Sequence, residues 1–179
     1  AEMINQYTAH TDGEDMFSFK VPGINGDGLR MIWQAGGART HMEMERFIGN
    51  EIPCVGAFGS KQIFSQASAV IVNRQGHRGV NEEEVKNSAV TANVVARQYK
   101  KDVFLLLDDS IIKHFRKHGP DFPSSVFRED FTKLFYDEID DMVEQYPQTA
   151  FKASSIEDLA VKLGIDPDVL SDTIEEYND

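Results

Sequence analysis

Ala69-Val70-Ile71-Val72-Asn73-Arg74-Gln75-Gly76-His77-Arg78-Gly79-Val80-Asn81-Glu82 is the stretch on which the fold turns. Its first part, Ala69 to Asn73, is a short apolar run rich in β-branched side chains, which suit a pleated backbone. Arg74 to His77 supplies a turn, so a strand leading into a hairpin is expected. Asn73 to Glu82 also packs two arginines among polar side chains. As structure this is a turn. As chemistry it presents guanidinium groups to an anionic ligand, and the residues alone leave the two readings balanced.

Working outward, Ala89 to Gln98 has helical character, with Val90, Val94 and Val95 on one face and alanines favouring the helix. Asp102 to Leu107 is the clearest buried strand, carrying Val103-Phe104-Leu105-Leu106-Leu107. Asp109 or Ser110 is expected to cap the next helix, which holds Ile111, Ile112 and Phe115 and stops at Gly119-Pro120. The strongest amphipathic helix runs from about Arg128 to Glu144. Phe131, Leu134, Phe135, Ile139 and Met142 form its apolar stripe, opposite Asp137, Glu138, Asp140 and Asp141. Tyr146-Pro147 ends it, and Phe151 and Ala153 suggest a short strand. Ser154 with Glu157 reads as a capping box for a helix ending at Gly164. Asp166-Pro167 opens the last helix with a capping aspartate and a proline at its first position.

Toward the N-terminus, the first 25 residues are polar, with aromatic punctuation and weak periodicity. Gly23-Ile24-Asn25-Gly26-Asp27-Gly28 then forms a glycine-rich turn feeding a helix with Leu29, Ile32 and Trp33, closed by Gly36-Gly37. Met42, Met44 and Phe47 suggest a strand-like segment. Strands and helices are mixed without regular βαβ alternation. The expected class is α+β, a small mixed sheet with hairpins and several packed helices.

The 179 residues fit about one domain, and 41% hydrophobic with 27% charged residues excludes a wholly disordered chain. No apolar run approaches the roughly 18 residues of a membrane span. Eighteen basic against 30 acidic residues give a net charge of −12, which opposes nucleic acids and anionic membranes. Cys54 is the single cysteine, so neither an internal disulfide nor a multi-cysteine zinc site can form. It has no basic neighbour to activate it as a nucleophile.

Gly23, Gly26 and Gly28 lack the spacing of the dinucleotide fingerprint, and no P-loop lysine or nucleophile elbow is present. His114 and His118 lie four apart on one helix, but without the glutamate of a metalloprotease helix and with Arg116 and Lys117 between them. They read as surface histidines. Glu82-Glu83-Glu84 and Asp137 to Asp141 read as solvated acidic faces, so no metal site is expected. No signal peptide is visible. Both ends read as boundaries of a domain cut from something longer, soluble and either cytoplasmic or exported.

Four segments, in order, resemble the cap, or substrate-binding, domain of the fumarate reductase and succinate dehydrogenase flavoprotein family. The nearest resemblance is to the soluble fumarate-reductase-like flavoproteins of anaerobic bacteria. Asn25-Gly26-Asp27-Gly28-Leu29-Arg30-Met31 is similar to the family's helix start. Val72-Asn73-Arg74-Gln75-Gly76-His77-Arg78 with Asn81-Glu82 is similar to its hairpin. Phe104 to Asp109 resembles its strand ending in an acidic pair. Ser155 to Ala160, Leu163 to Pro167 and Thr173 to Asn178 resemble its C-terminal signature.

The resemblance implies that residues 1–25 connect from a flavin domain and that 26–179 form the cap. FAD would be held mainly by the flavin domain of the same polypeptide, with none retained by this segment alone. It further implies an FAD-dependent oxidoreductase that moves hydride between flavin and the C=C or C–C bond of a small unsaturated acid or enone. This segment would be inactive by itself. Gly26, Asp27 and Gly28 would approach the cofactor. Arg74, Arg78, Asn81 and Glu82 would bind substrate. Counted without gaps from Asn81-Glu82, the family's proton-donating arginine falls on Lys86.

This sequence departs from the family elsewhere. No histidine stands near Ile48-Gly49, where the family binds a carboxylate. Gln62 and Ser65 stand near its proton-path glutamate and arginine, and Gly79 replaces an aromatic. These departures point away from fumarate, toward another unsaturated substrate without two carboxylates. The alternative is a stand-alone ligand-binding or interaction module without chemistry.

Overall fold

The computed structural model describes residues 2–14, 16, 22–44, 69–119 and 135–179. Among the described residues, seven α-helices and two strands follow in the order α1 (Glu2–Tyr7), α2 (Asp27–Gln34), β1 (Val70–Val72), α3 (Ser88–Ala96), β2 (Phe104–Leu106), α4 (Asp109–His118), α5 (Phe135–Gln145), α6 (Ile156–Leu163) and α7 (Pro167–Asn178). Two 3₁₀ segments, Glu82–Lys86 and Tyr99–Lys101, flank α3. The class is α+β, as the mixed pattern predicts.

β1 and β2 pair antiparallel, with Val70 opposite Leu106, Ile71 opposite Leu105 and Val72 opposite Phe104. All three β1 residues are buried. Side chains alternate across a strand, so this small sheet has helices on both faces. On one face Ala69, Ile112, Phe115 and Met142 form a cluster, with Leu105, Leu107 and Ile139 against it. On the other, Val70 and Val72 pack with Ala160, Ile165 and Leu170, and Phe104, Leu106 and Tyr177 join them. A strand covered on both sides needs a continuous apolar run, which Ala69 to Val72 supplies.

α6 and α7 form a tight helical hairpin. Ser155 caps α6 by accepting from Asp158 N–H at 3.1 Å, and Gly164 ends it at φ 72°. Asp166 caps α7 by accepting from Asp168 N–H, with Pro167 at the first helical position. The capping pair of α6 is therefore Ser155 and Asp158, one residue beyond Ser154 and Glu157. Two adjacent serines make the frame ambiguous in sequence.

Other boundaries also shift. Asp108 caps α4, accepting from Ile111 N–H at 2.8 Å, and its carboxylate accepts from Ser110 Oγ as well. β2 is three residues long and half-buried rather than a fully buried run to Leu107. α3 buries Thr91 and Ala92, while Val90, Val94 and Val95 are half-buried. Phe151 and Ala153 are not in a strand; Phe151 instead meets the Phe104 ring edge-on at 6.4 Å. Met42 and Glu43 form a turn. Phe47, Cys54, Phe131 and Leu134 lie outside the described residues. The polar N-terminal stretch includes α1, a helix its weak periodicity conceals.

Candidate functional site

The turn after β1 is organised by Asn73. Its Oδ1 accepts from the N–H groups of Gln75 at 3.0 Å and His77 at 3.1 Å, and its own N–H donates to His77 O at 3.0 Å. An asparagine side chain that imitates a backbone turn is well suited to this place. Asn73 Nδ2 donates to Gln98 Oε1 at 3.3 Å, which ties the turn to the end of α3. Gly76 has φ 87°, and a Cβ there would lie 2.8 Å from Ile165 Cγ2. The turn is thus pressed against the α6–α7 corner, and only glycine fits.

The two arginines of this turn each engage a carboxylate. Arg74 forms a two-pronged pair with Asp102, its Nε 2.6 Å from Oδ1 and its Nη2 on Oδ2, and it lies 5.6 Å over the Phe104 ring. Its pKa is raised, first by the hydrogen bond to Asp102. Arg78 forks onto Glu82, with Nε 3.1 Å from Oε1 and Nη2 2.5 Å from Oε2. Its guanidinium carbon stands 4.8 Å from the Tyr177 ring, a cation–π contact with the last turn of α7. The hydrogen bond to Glu82 is the first cause of its raised pKa.

Glu82 is 5% exposed. Its Oε1 also accepts from Ile71 N–H at 3.3 Å. Burial pushes this carboxyl up, but Arg78 and the N–H groups of Glu82 and Ile71 outweigh it and hold the pKa below the ordinary glutamate value. Asn81 caps the 3₁₀ segment that Glu82 opens, its Oδ1 accepting from Glu83 N–H at 3.2 Å. The backbone of Lys86 closes that segment; its side chain lies outside the described atoms.

Of the expected site residues, the structure brings Arg74, Arg78, Asn81 and Glu82 together around one turn. Asp102 and Tyr177 belong there too, and sequence reading gave them no such part. Their signal was weak: Asp102 precedes a strand, and Tyr177 sits near the end of a helix.

Gly26, Asp27 and Gly28 lie in a different unit, α1 with α2. Gly26, at φ 79°, precedes α2 with no side-chain cap. Arg30 reaches Glu2 at 3.3 Å and Asp27 at 3.7 Å. Arg39 lies 4.2 Å over the Trp33 ring and bonds Tyr7 Oη, closing the other end of the unit. A Cβ at Gly28 would meet no heavy atom within 4 Å.

His114 and His118 are exposed, with ring centroids 4.9 Å apart. Among the described residues no group of three or more His, Cys, Asp or Glu side chains could hold a metal ion. No described helix is long and apolar enough to cross a membrane.

Comparison with known proteins gives these positions a context. A family model described as an FAD binding domain matches residues 3–179. The chain is 31% identical over 183 residues to a vinyl phenol reductase of Lactiplantibacillus plantarum, covering 97% of this chain and 36% of that protein. It is 32% identical over 103 residues to a fumarate reductase (cytochrome) of Shewanella frigidimarina, covering 56% of this chain and 17% of that protein. The chain therefore spans about a third or less of the length of these relatives.

Proposed function

The chain belongs to the FAD binding domain family, and from this premise we propose that it forms the substrate-capping part of an FAD-dependent oxidoreductase. In this reading residues 1–25 connect from the flavin domain and residues 26–179 form the cap. The substrate is a small molecule with a polarised C=C bond, an unsaturated acid, an enone or a related conjugated alkene. Bound FAD would supply or accept the hydride.

The α1–α2 corner fits part of that cofactor. Asp27 offers an acceptor, and the start of α2 at Gly28 is unobstructed. Both suit the hydroxyl-bearing linker of a flavin. Gly26, Asp27 and Gly28 are thus proposed as cofactor contacts in the full polypeptide, with no stoichiometric FAD kept by the 179 residues alone.

The observation that carries the substrate reading is the state of the two arginines. Both guanidinium forks are occupied, by Asp102 and Glu82. A free fork is what recognises a carboxylate in two-pronged fashion. Arg74, Arg78 and Asn81 therefore serve as a fixed polar wall beside the substrate, with the buried Glu82 carboxylate holding Arg78 in that wall. This favours a substrate without two carboxylates. A vinyl phenol, the compound in one relative's name, has a conjugated C=C bond and no carboxylate. The cap's tasks are to orient the alkene, exclude water and deliver a proton from the Lys86 ammonium to one alkene carbon as the other receives hydride.

The test is alkene reduction by the full-length polypeptide loaded with FAD. Vinyl phenols and enones should be reduced faster than fumarate. Lys86→Met should lower turnover by about a hundredfold or more. Unchanged turnover removes Lys86 from the mechanism, and a preference for fumarate removes the substrate reading.

A further inference from the structure

We propose that Glu82 is a positioning residue, whose buried carboxylate joins the open edge of β1 to Arg78 and so sets where the Glu82–Lys86 segment sits. β2 covers only one edge of β1. On the other, Val72 bridges backbone to backbone with Arg78, and Asn73 N–H reaches His77 O. Backbone groups two residues apart in a strand face the same way. Ile71 N–H therefore points to the edge away from β2, where Glu82 Oε1 meets it at 3.3 Å.

One carboxylate thus performs three tasks. It satisfies a buried strand donor that would otherwise be orphaned. It holds the Arg78 fork with both oxygens. It keeps that guanidinium over Tyr177, on the last turn of α7. Strand, turn, 3₁₀ segment and C-terminal helix are located by the same group. Surface ion pairs contribute little to such positioning, but Glu82 is buried, and truncating a buried partner leaves the other unpaired.

The segment Glu82 opens carries Lys86 four residues later, so the inference rests on the proton-delivery reading above. A donor displaced by about 1 Å can lose about a hundredfold in rate.

The experiment uses the full-length polypeptide loaded with FAD and compares Glu82→Gln, Arg78→Lys and the control Asp140→Asn, which breaks an exposed pair with Lys152. Glu82→Gln keeps the side chain's shape and an acceptor for Ile71 but loses the charge that fixes Arg78. It should retain FAD and lower kcat about ten- to a hundredfold, with KM changed little. Amide exchange should rise at Ile71 and through 82–86 and stay unchanged across α6. Arg78→Lys should give a smaller kcat loss of the same kind, and Asp140→Asn none.

Unchanged kcat in a folded Glu82→Gln enzyme overturns the inference while leaving the proposed function standing. If Glu82→Gln does not fold, Arg78→Lys decides by the same readout. If the unaltered enzyme reduces no alkene, the proposed function fails. The exchange pattern at Ile71 and 82–86 then still decides whether Glu82 sets the segment.

Discussion

Replacing Gly76 with alanine tests the packing of the turn on the α6–α7 corner. At φ 87° an L residue costs about 1–2 kcal/mol. The new methyl would stand 2.8 Å from Ile165 Cγ2 and 3.3 Å from Val169 Cγ1, and overpacking of this kind costs about 1–3 kcal/mol. A stiffer unfolded chain returns about 0.4–1 kcal/mol. The net loss should be about 1–4.6 kcal/mol, centred near 3, a large share of the roughly 5–15 kcal/mol that holds a domain together.

Two other glycines separate the causes. Gly164 has φ 72° and no heavy atom within 4 Å of a Cβ, so Gly164→Ala should show the backbone strain alone, about 1 kcal/mol. Gly79 has no positive φ, and its Cβ would find ordinary contact with Gln98 Nε2 at 3.6 Å and Val94 Cγ1 at 3.8 Å. Gly79→Ala should be neutral to about 0.5 kcal/mol stabilising. Urea unfolding with a constant m-value ranks the three. Equal losses for Gly76→Ala and Gly164→Ala would refute the close approach of turn and helical hairpin.

Leu170→Ala, at a site with no exposure, should cost about 2–5 kcal/mol in the same urea experiment. Asp166→Ala removes the cap of α7 and should cost about 1 kcal/mol, with Asp166→Asn close to neutral. Glu82 links stability to pH. Its folded pKa lies below its unfolded one, so its contribution is full above the unfolded carboxylate value, about 4.3, and is lost as pH falls through the folded value. The stability gap between the unaltered chain and Glu82→Gln should be constant near neutrality and shrink below about pH 4. A gap that persists to the lowest pH would show that the Glu82 charge is not its source.

Local chemistry made much of this fold legible. Asp166-Pro167, Gly164 and the run from Ala69 to Val72 each act within a few residues, and each is found where its own preference places it. Long-range pairing was hidden. Nothing near Val70 announces Leu106 as its partner, and a turn rich in arginine reads the same whether its cations face a ligand or carboxylates elsewhere in the chain. Asp102 lies 28 residues from Arg74, and Tyr177 is farther still from Arg78. The cluster of Arg74, Arg78, Asn81 and Glu82 could be anticipated from sequence because all four fall within nine positions. The pairing of Arg74 with Asp102 could not, because it depends on the tertiary path.

The occupied outer edge of β1 also bears on solubility in crowded conditions. A short, wholly apolar strand with a bare row of N–H and C=O groups invites another chain to add a strand of its own. Here the backbone of Arg78 and the carboxylate of Glu82 occupy that row. The charge also penalises any apolar strand that tried to displace it.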